Sequence, residues 1–369
     1  MGDLLRKSTE ILKKYQARTG AFPAAPYFPP YRYVWLRDGT FVAWALDWVG
    51  EREAAGSFYT FMSHTVLKHS YKIENALERA SKGHSPDDAT CLHTRYTLDG
   101  EEGVEPWGNF QLDGYGTFLW GLAHHLRVGG KLREEYKKAI CEISRYLCGL
   151  WKVPCLDCWE ERGDRLHPST LAAVYGGLKA VLEWLPPDLA EKAREVLVEL
   201  PQVVRAGFVV DGHLVKESGS PEVDANLLWL AVPYGLLDIE DPVFAATVQK
   251  IEKDLRGGGV KRYRGDTFYG GGEWVLLAAW LAWYYRLKGK EEEGKELLGW
   301  IEAQADEEGQ LPEQVPVNLT SEEHYRYWVE RWGPIARPLL WSHAMYIAAR
   351  LPAPVPVVSC SLHQNQKVC

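Results

Sequence analysis

The chain has 369 residues and carries 42 Lys and Arg against 50 Asp and Glu, a formal net charge of −8. It has no clustered basic run and no stretch of about 18 uncharged apolar residues, which excludes a nucleic-acid surface and a membrane-spanning helix. A hydrophobic fraction of 46% excludes disorder over most of the length. The sequence begins without the apolar core of a secretory signal peptide, and its seven cysteines are an odd number. We therefore expect a cytoplasmic location.

Two kinds of helical segment alternate along the chain, beginning with an amphipathic one. In chain order the predicted helices are 3–16, 39–50, 51–67, 114–126, 131–147, 169–185, 187–204, 222–237, 242–255, 273–287, 290–304 and 338–351. Every second segment is apolar on all sides and is expected to be buried, whereas its neighbours carry one charged face that can cover it. The pattern predicts an all-α fold, an (α/α)6 barrel of six inner and six outer helices. The first helix should pair with the last inner helix and close the ring.

This barrel is predicted to form one domain, residues 1–351. The remaining residues, 352–369, are Pro-rich and then polar, so we expect a poorly ordered tail. Segments 211–219 and 262–271 are expected to form short strands or hairpins within loops.

The connections between the predicted helices differ at the two ends of the barrel. Those that lead from an outer helix to the next inner one are long, aromatic and charged, whereas the opposite ones are as short as Val-Gly, Val-Gly-Gly and Lys-Gly-Lys. Function concentrates in loops that a rigid scaffold positions. We therefore place the candidate site where the long connections meet, around the N-termini of the inner helices.

The long connections hold carboxylates, arginines and tryptophans together. Such a mixture suits a neutral carbohydrate, because charged groups bind sugar hydroxyls while an indole face covers the C–H face of a pyranose ring. The sequence lacks a phosphate-binding loop and the common zinc and serine-hydrolase motifs, and Cys155 and Cys158 lack a second ligand pair. We predict no metal and no organic cofactor. The candidate residues at this rim are Trp35, Arg37, Asp38, Trp107, Asp113, Glu160, Glu161, Arg262, Trp274, Glu313 and Trp341.

Hydrolysis of a glycosidic bond requires two carboxyl groups, one that protonates the leaving oxygen and one that activates water or attacks carbon. Glu160 is a candidate acid, because the neighbouring charges of Asp157 and Glu161 and the apolar Trp159 would raise its pKa. A solvated helix cap fits the same Trp-Glu-Glu-Arg segment, and Glu313 could equally start a helix. Capping also fits Asp38, Asp113 and Asp224, so the residues alone leave both interpretations open.

Six segments, in this order, resemble glycoside hydrolase family 15: YRYVWLRD, PWGNFQLDG, DCWEERG, RYRGDTFYGGGEW, LPEQV and PLLWSHA. That family contains glucoamylases and relatives that act on dextran, isomaltose-type sugars and trehalose. The resemblance covers about residues 20–351 and implies an (α/α)6 barrel. It also implies an inverting exo-hydrolase that releases β-glucose from non-reducing ends without a metal or organic cofactor.

By the same resemblance, Glu160 would be the general acid and Glu313 the general base, with Tyr31 near the attacking water. Arg37 and Asp38 would hold hydroxyls of the innermost glucose. The resemblance further implies that Trp107 lines the acid side of the pocket, that Glu161 contacts substrate and that Arg262 binds the sugar beyond.

The chain lacks the N-terminal β-sandwich and the starch-binding module of many relatives, which favours short oligosaccharides over granular polymer. It also reads Tyr-Gly-Gly-Gly-Glu-Trp after Arg262, where fungal glucoamylases have Asn-Pro before the Trp. The predicted partner is a small α-gluco-oligosaccharide, with no nucleic acid, no membrane and an open oligomeric state. We expect an isomaltose-type α-1,6 glucohydrolase. An α-1,4 glucoamylase, a trehalase and a carbohydrate-binding scaffold without catalysis are the alternatives.

Overall fold

The computed structural model describes residues 2–351, and the predicted tail lies outside this range. Thirteen α-helices lie within these residues: α1 (Gly2–Lys14), α2 (Leu36–Trp48), α3 (Arg52–Lys68), α4 (Tyr71–Ser81), α5 (Asp113–Arg127), α6 (Glu134–Leu150), α7 (Pro168–Val181), α8 (Pro187–Gly207), α9 (Pro242–Leu255), α10 (Val275–Leu287), α11 (Glu291–Glu302), α12 (Glu322–Trp332) and α13 (Leu340–Arg350).

The inner helices form a closed ring. Helix α2 packs on α5, and α5 packs on α7. The ring continues through a 3-10 helix, Ala225–Leu230, to α10 and then through α13 back to α2. Almost every residue of these elements is buried, as their all-round apolar sequence predicts.

The outer helices cover this ring. Helix α3 packs on α2, α6 on α5, α8 on α7, α9 on the 3-10 helix and α11 on α10. Helix α1 packs on α13, where Ser8 Oγ lies 2.9 Å from His343 Nδ1, so the first and last helices close the circle. The predicted (α/α)6 barrel is therefore confirmed.

One inner helix differs from its prediction. Segment 222–237 contains only one helix, the six-residue 3-10 helix Ala225–Leu230. Asp224 precedes this helix as its N-cap, and its carboxylate accepts the Asn226 N–H at 2.8 Å. Pro233 has no N–H to donate, so it would remove one hydrogen bond from an α-helix and disfavours such a helix through this segment. The capping role left open for Asp224 is thus present in the structure.

Helices α4 and α12 were not predicted. Helix α4 is a short outer element that packs on α6. No residue of α12 is buried, and it packs on a second 3-10 helix, Phe268–Gly270. Its apolar residues Tyr325, Trp328, Val329 and Trp332 recur at helical spacing and pack against the core while half-buried, so the periodic signal was present in the sequence but was not used.

In the part of the chain that the structure describes, six two-residue strands form three antiparallel pairs. They are β1 (Val34–Trp35) with β2 (Arg95–Tyr96), β3 (Val209–Val210) with β4 (His213–Leu214), and β5 (Glu273–Trp274) with β6 (Gln314–Val315). The β3–β4 hairpin confirms the short strands expected near 211–219, whereas 262–271 forms the Phe268–Gly270 helix instead. None of the helices in residues 2–351 combines the length and apolarity that a bilayer crossing requires.

Aromatic side chains fill the axis of the barrel. Trp44, Trp229 and Trp280 are almost fully buried, and the ring centroids of Trp229 and Trp280 lie 5.3 Å apart. Phe41 stacks on Trp341 with centroids 5.7 Å apart. Much of the tryptophan content is therefore structural, and Trp341 belongs both to this core and to the cavity described next.

Candidate active site

A cavity of about 470 Å³ opens at the N-terminal ends of the inner helices, the end that the long connections predicted. Glu160 and Glu313, 153 positions apart in the sequence, both line it. The other predicted residues that line the cavity are Tyr31, Trp35, Arg37, Asp38, Trp107, Glu161, Arg262, Trp274 and Trp341. Asp113 does not line it: the side chain is fully buried behind Arg37.

A tight loop presents Glu160. The Asp157 Oδ1 atom accepts the N–H groups of Trp159 at 2.9 Å and Glu161 at 3.0 Å, and the Glu160 N–H donates to the Asp157 carbonyl at 2.9 Å. Glu160 itself has a φ of 67°, in the left-handed region that non-glycine residues rarely adopt. Such strained positions persist only where surrounding bonds fix them, and they cluster at functional sites.

Each oxygen of the Glu160 carboxyl accepts an indole N–H, one from Trp35 and one from Trp107. Burial raises the pKa of Glu160, and Arg37 together with the two indole donors opposes this shift. The direction is the one expected, but burial and the charge of Asp38 cause it rather than Asp157 and Glu161. The Asp157 carboxylate instead faces the Lys216 ammonium, at 3.8 Å.

Glu313 is held by the backbone on both sides. Its N–H donates to the Ala336 carbonyl at 3.0 Å, and its own carbonyl accepts the Val275 N–H at 3.3 Å. Pairing of Trp274 with Gln314 in β5–β6 fixes the position of this segment at the head of α10. Burial raises the pKa of the Glu313 carboxyl to about 8, against the opposing effects of Arg262 and of the adjacent Tyr31 hydroxyl.

The first turn of α2 supplies the floor of the cavity. Arg37 Nη1 donates to Asp113 Oδ2 at 2.9 Å and to Gln111 Oε1 at 3.0 Å, and its guanidinium carbon lies 5.1 Å from the Trp341 ring centroid. Arg37 Nε lies 3.4 Å from Asp38 Oδ2. Burial raises the pKa of Asp38 to about 6 even though Arg37 favours its charged form. Asp113 therefore contributes to the cavity indirectly, because it holds the Arg37 side chain in position.

A second charged cluster surrounds Glu161. Its carboxylate accepts hydrogen bonds from Arg262 at 3.3 Å, from the Tyr263 hydroxyl at 2.7 Å and from Lys216 at 3.1 Å. Burial disfavours the charged form, but Arg262 and Lys216 outweigh it and lower the pKa of Glu161. Lys216 also lies 3.4 Å from Asp224. Sequence reasoning missed Lys216, because its role appears only when distant loops meet.

Sequence reasoning also missed an aromatic wall of the cavity. Trp328 and Trp332 project from α12 one turn apart and line the cavity with Phe268. The Trp332 ring stacks on Trp107 with centroids 6.4 Å apart and an interplanar angle of 23°. The available signal was the helical spacing of Tyr325, Trp328, Val329 and Trp332 within one of the long connections that lead to the predicted rim.

The opposite pKa shifts of Glu313 and Glu161 predict opposite effects of pH on stability. Folding raises the pKa of Glu313 from 4.5 to about 8. The contribution of this group to the stability of the folded protein therefore falls as pH rises from 4.5 to 8. The Glu313→Gln variant should therefore gain stability over the parent between pH 5 and pH 8, by up to about 1.4 kcal/mol per unit of pKa shift. Thermal melting across this pH range measures the effect.

Glu161→Gln is the matched control for this experiment. Its depressed pKa contributes stability above pH 4.5 that is lost on acidification, so this variant should be less stable than the parent at pH 8 and approach it near pH 4. If the melting temperatures of the two variants changed in the same way with pH, the assigned pKa shifts would be wrong.

Within residues 2–351 no cluster of three or more His, Cys, Asp or Glu side chains could hold a metal ion. Cys155 and Cys158 are buried free thiols, and Cys158 lines the cavity beside Trp159. The other polar groups that line the cavity are carboxyl, guanidinium, phenol and indole groups and the Thr267 hydroxyl.

Comparison with known proteins gives concordant results. The sequence pattern of the glycosyl hydrolases family 15 matches residues 4–300. An isomaltose glucohydrolase of Kribbella flavida is 41% identical over 94% of this chain and 91% of its own length. The structure of a glycosidase variant in complex with glucose is 40% identical, covers 94% of both chains and has a TM-score of 0.89. Trehalase 1 of Sulfolobus acidocaldarius is 29% identical over 73% of this chain and 48% of its own length.

A helical barrel whose mouth holds two carboxyl groups between arginines and indole rings defines a glycoside hydrolase. The family pattern and the isomaltose glucohydrolase both match most of the length of this chain. The chain therefore belongs to glycosyl hydrolases family 15.

Proposed function

We propose that the chain is an inverting, exo-acting α-glucosidase that releases β-D-glucose from the non-reducing ends of short α-glucosidic oligosaccharides and prefers the α-1,6 bond of isomaltose-type sugars. The observation that carries this proposal is the presence of Glu160 and Glu313 in one cavity. A cavity of about 470 Å³ lies within the range of about 300–1,000 Å³ typical of small-molecule sites.

Glu160 is the proposed general acid. Its two oxygens each receive one indole N–H, which fixes the plane of the carboxyl group and leaves the remaining lone pairs for the catalytic proton. Burial raises the pKa of this carboxyl group, which favours the protonated form that a general acid requires. The proton passes to the glycosidic oxygen as the bond to the leaving sugar breaks.

Glu313 is the proposed general base. It accepts a proton from the water that attacks the anomeric carbon on the face opposite the leaving group, which inverts the configuration. Burial raises the pKa of Glu313 to about 8, and the Arg262 charge and the adjacent Tyr31 hydroxyl oppose this shift in favour of the ionised carboxylate that the role requires. Arg37 and Asp38 bind hydroxyls of the innermost glucose, and Glu161 and Arg262 bind the sugar beyond it.

The preference for the α-1,6 bond is supported by the Kribbella flavida isomaltose glucohydrolase, which matches nearly the full length of both chains. The trehalase matches this chain over less than half of its own length. For the location we propose the cytoplasm, where the five described cysteines, all free thiols, would remain reduced.

A substrate panel tests the proposal. Purified protein is incubated with isomaltose, maltose, trehalose and a longer dextrin, and released glucose and its anomeric form are followed by NMR. We expect the fastest release from isomaltose, with β-glucose as the first product. Release of α-glucose would contradict inversion, faster hydrolysis of maltose or trehalose would favour the glucoamylase or trehalase alternative, and no release would favour a binding scaffold.

We expect the aromatic wall formed by α12 to contribute to the affinity for the substrate. Trp332 stacks on Trp107 at the cavity and contacts no catalytic carboxyl. Trp332→Ala should raise KM for isomaltose by up to about tenfold with little change in kcat, since an aromatic contact contributes about 0.5–1.5 kcal/mol. Tyr327→Ala is the matched control, because Tyr327 lies on the same helix but is exposed and outside the cavity. Equal KM values for the two variants would exclude α12 from the substrate site.

A further inference from the structure

A second cleft, of about 560 Å³, lies at the other end of the barrel. It is formed by the end of α5, the connection from α5 to α6 and the first turns of α3 and α6, with one further segment at Arg18–Thr19. His125 of this cleft lies about 18 Å along α5 from Asp113, which binds Arg37 of the catalytic cavity. Its lining shares no residue with the catalytic cavity.

The cleft concentrates positive charge on a chain whose net charge is −8. Four cations from three segments line it, Arg18, Arg52, Lys131 and Arg133, against the carboxylate of Glu53. Within residues 2–351, Arg133 has a carboxylate at 3.8 Å, that of Glu135, and the other three cations form no ion pair. Such a group of cations around a concave surface favours an anionic ligand.

Two helix N-termini add to this field. Helices α3 and α6 each have 17 residues, and both begin at the cleft. The residues before them, Glu51 and Arg133, provide no side-chain hydrogen bond to their first-turn N–H groups. Unbonded N–H groups at the positive end of a helix dipole are suited to phosphate oxygens.

A buried imidazole, that of His125, lies at the base of the cleft and indicates a second group that the ligand should carry. His125 is 4% exposed, and its Nδ1 atom lies 2.9 and 3.0 Å from the two oxygens of the buried Asp47 carboxylate. The Nδ1–H therefore donates to Asp47, and the Nε2 atom, which has no partner in the described residues, is an acceptor in the neutral ring. Gly130 packs directly on this ring, since a Cβ there would lie 2.4 Å from it.

An acceptor beneath a group of cations matches a ligand that has both a hydroxyl group and a phosphate group. We propose that this cleft binds the phosphate monoester of a sugar, with the phosphate held by Arg52, Arg133 and Lys131 and a sugar hydroxyl donating to His125 Nε2. The site is separate from the catalytic cavity. The inner helices that end in Asp47 and His125 begin with the Arg37–Asp113 pair of the catalytic floor, so the two sites share their scaffold.

Isothermal titration of the full chain with glucose 6-phosphate, inorganic phosphate and glucose tests this proposal. We expect glucose 6-phosphate to bind more tightly than inorganic phosphate and to bind more weakly as NaCl increases. Arg52→Ala with Arg133→Ala should weaken its binding by about tenfold or more, because hydrogen bonds to charged groups are lost. Both side chains are exposed and outside the catalytic cavity, so hydrolysis of isomaltose in phosphate-free buffer should be unchanged.

The matched control removes two arginines from the opposite rim. Arg162→Ala with Arg264→Ala changes the net charge equally, and these side chains are 60% and 68% exposed. This control should leave the affinity for glucose 6-phosphate unchanged.

Three outcomes would overturn the proposal. They are equal affinity of the Arg52/Arg133 double variant and the parent, equal binding of inorganic phosphate and glucose 6-phosphate, and displacement of glucose 6-phosphate by isomaltose. The first would show that the two arginines do not bind the ligand, and the second would show that the sugar does not contribute to binding. The third would show that the ligand binds in the catalytic cavity.

Discussion

Replacing Glu160 by glutamine is expected to lower kcat/KM for isomaltose by about 10²–10⁴-fold while sugar binding remains measurable. Glutamine keeps the size of the side chain but has no acidic proton to give to the leaving oxygen. It also has one acceptor oxygen for two indole donors, those of Trp35 and Trp107, so part of the positioning is lost as well. Glucose release and calorimetric binding of isomaltose measure the two effects separately.

Glu313→Gln should cause a loss of similar size for a different reason, the absence of a base for the attacking water. The two roles are distinguished by a substrate with a good leaving group, such as an aryl α-glucoside, which departs without protonation. Such a substrate should restore much of the activity of the Glu160 variant and little of that of the Glu313 variant. Restoration in the opposite order would reverse the assignment.

Glu105→Gln is the control for both variants. Glu105 is an exposed glutamate near the mouth of the cavity but does not line it, and its carboxylate binds Tyr33 and Arg95. Its replacement should leave kcat/KM within about twofold of the parent. Full activity of the variant that lacks both Glu160 and Glu313 would refute the catalytic assignment as a whole.

The second large effect concerns stability. Arg37→Met is expected to lower the free energy of unfolding by about 3–5 kcal/mol at pH 7, because removal of one partner leaves a buried charge without compensation. Asp113 is fully buried, and its Oδ1 atom has no hydrogen-bond partner within the described residues, so Arg37 is its principal partner. Chemical denaturation measures the change.

Adding Asp113→Asn to the Arg37→Met variant tests whether the unpaired charge of Asp113 causes the loss of stability. Neutralising Asp113 removes the uncompensated charge, so the double variant should recover part of the lost stability and the two changes should be non-additive. Strict additivity would mean that the cost comes from lost packing on Trp341 rather than from the ion pair.

The barrel could be predicted because its signal is local. Segments apolar on all sides alternate with segments that have one charged face, and burial follows from that difference alone. The prediction failed in segment 222–237, where an apolar run forms only a short 3-10 helix, and at α12, whose apolar residues have helical spacing but lie within a long connection. In the first case the hydrophobic pattern carried no information about the type of helix, and in the second the pattern was present but was not used.

The candidate site was predictable as a group of loops and motifs, but the bonding of its members was not. The residues of 157–161 leave open whether Glu160 is a solvated cap or an acid, and contacts with Trp35 and Trp107, which lie more than 50 positions away, place it in the cavity. Asp113 was predicted to bind substrate, yet it lies behind Arg37. Lys216 and the α12 tryptophans had no sequence signal that linked them to the acid loop.

The sequence alone determined the helical ring, the end at which the site opens and the chemical types gathered there, since these depend on periodicity, loop length and composition. Only the tertiary structure decided which carboxyl groups face the cavity, which are covered by a neighbour and in which direction each pKa moves. Those properties depend on distances between side chains that are far apart in the chain, and desolvation and Coulomb interactions act through space rather than along the sequence.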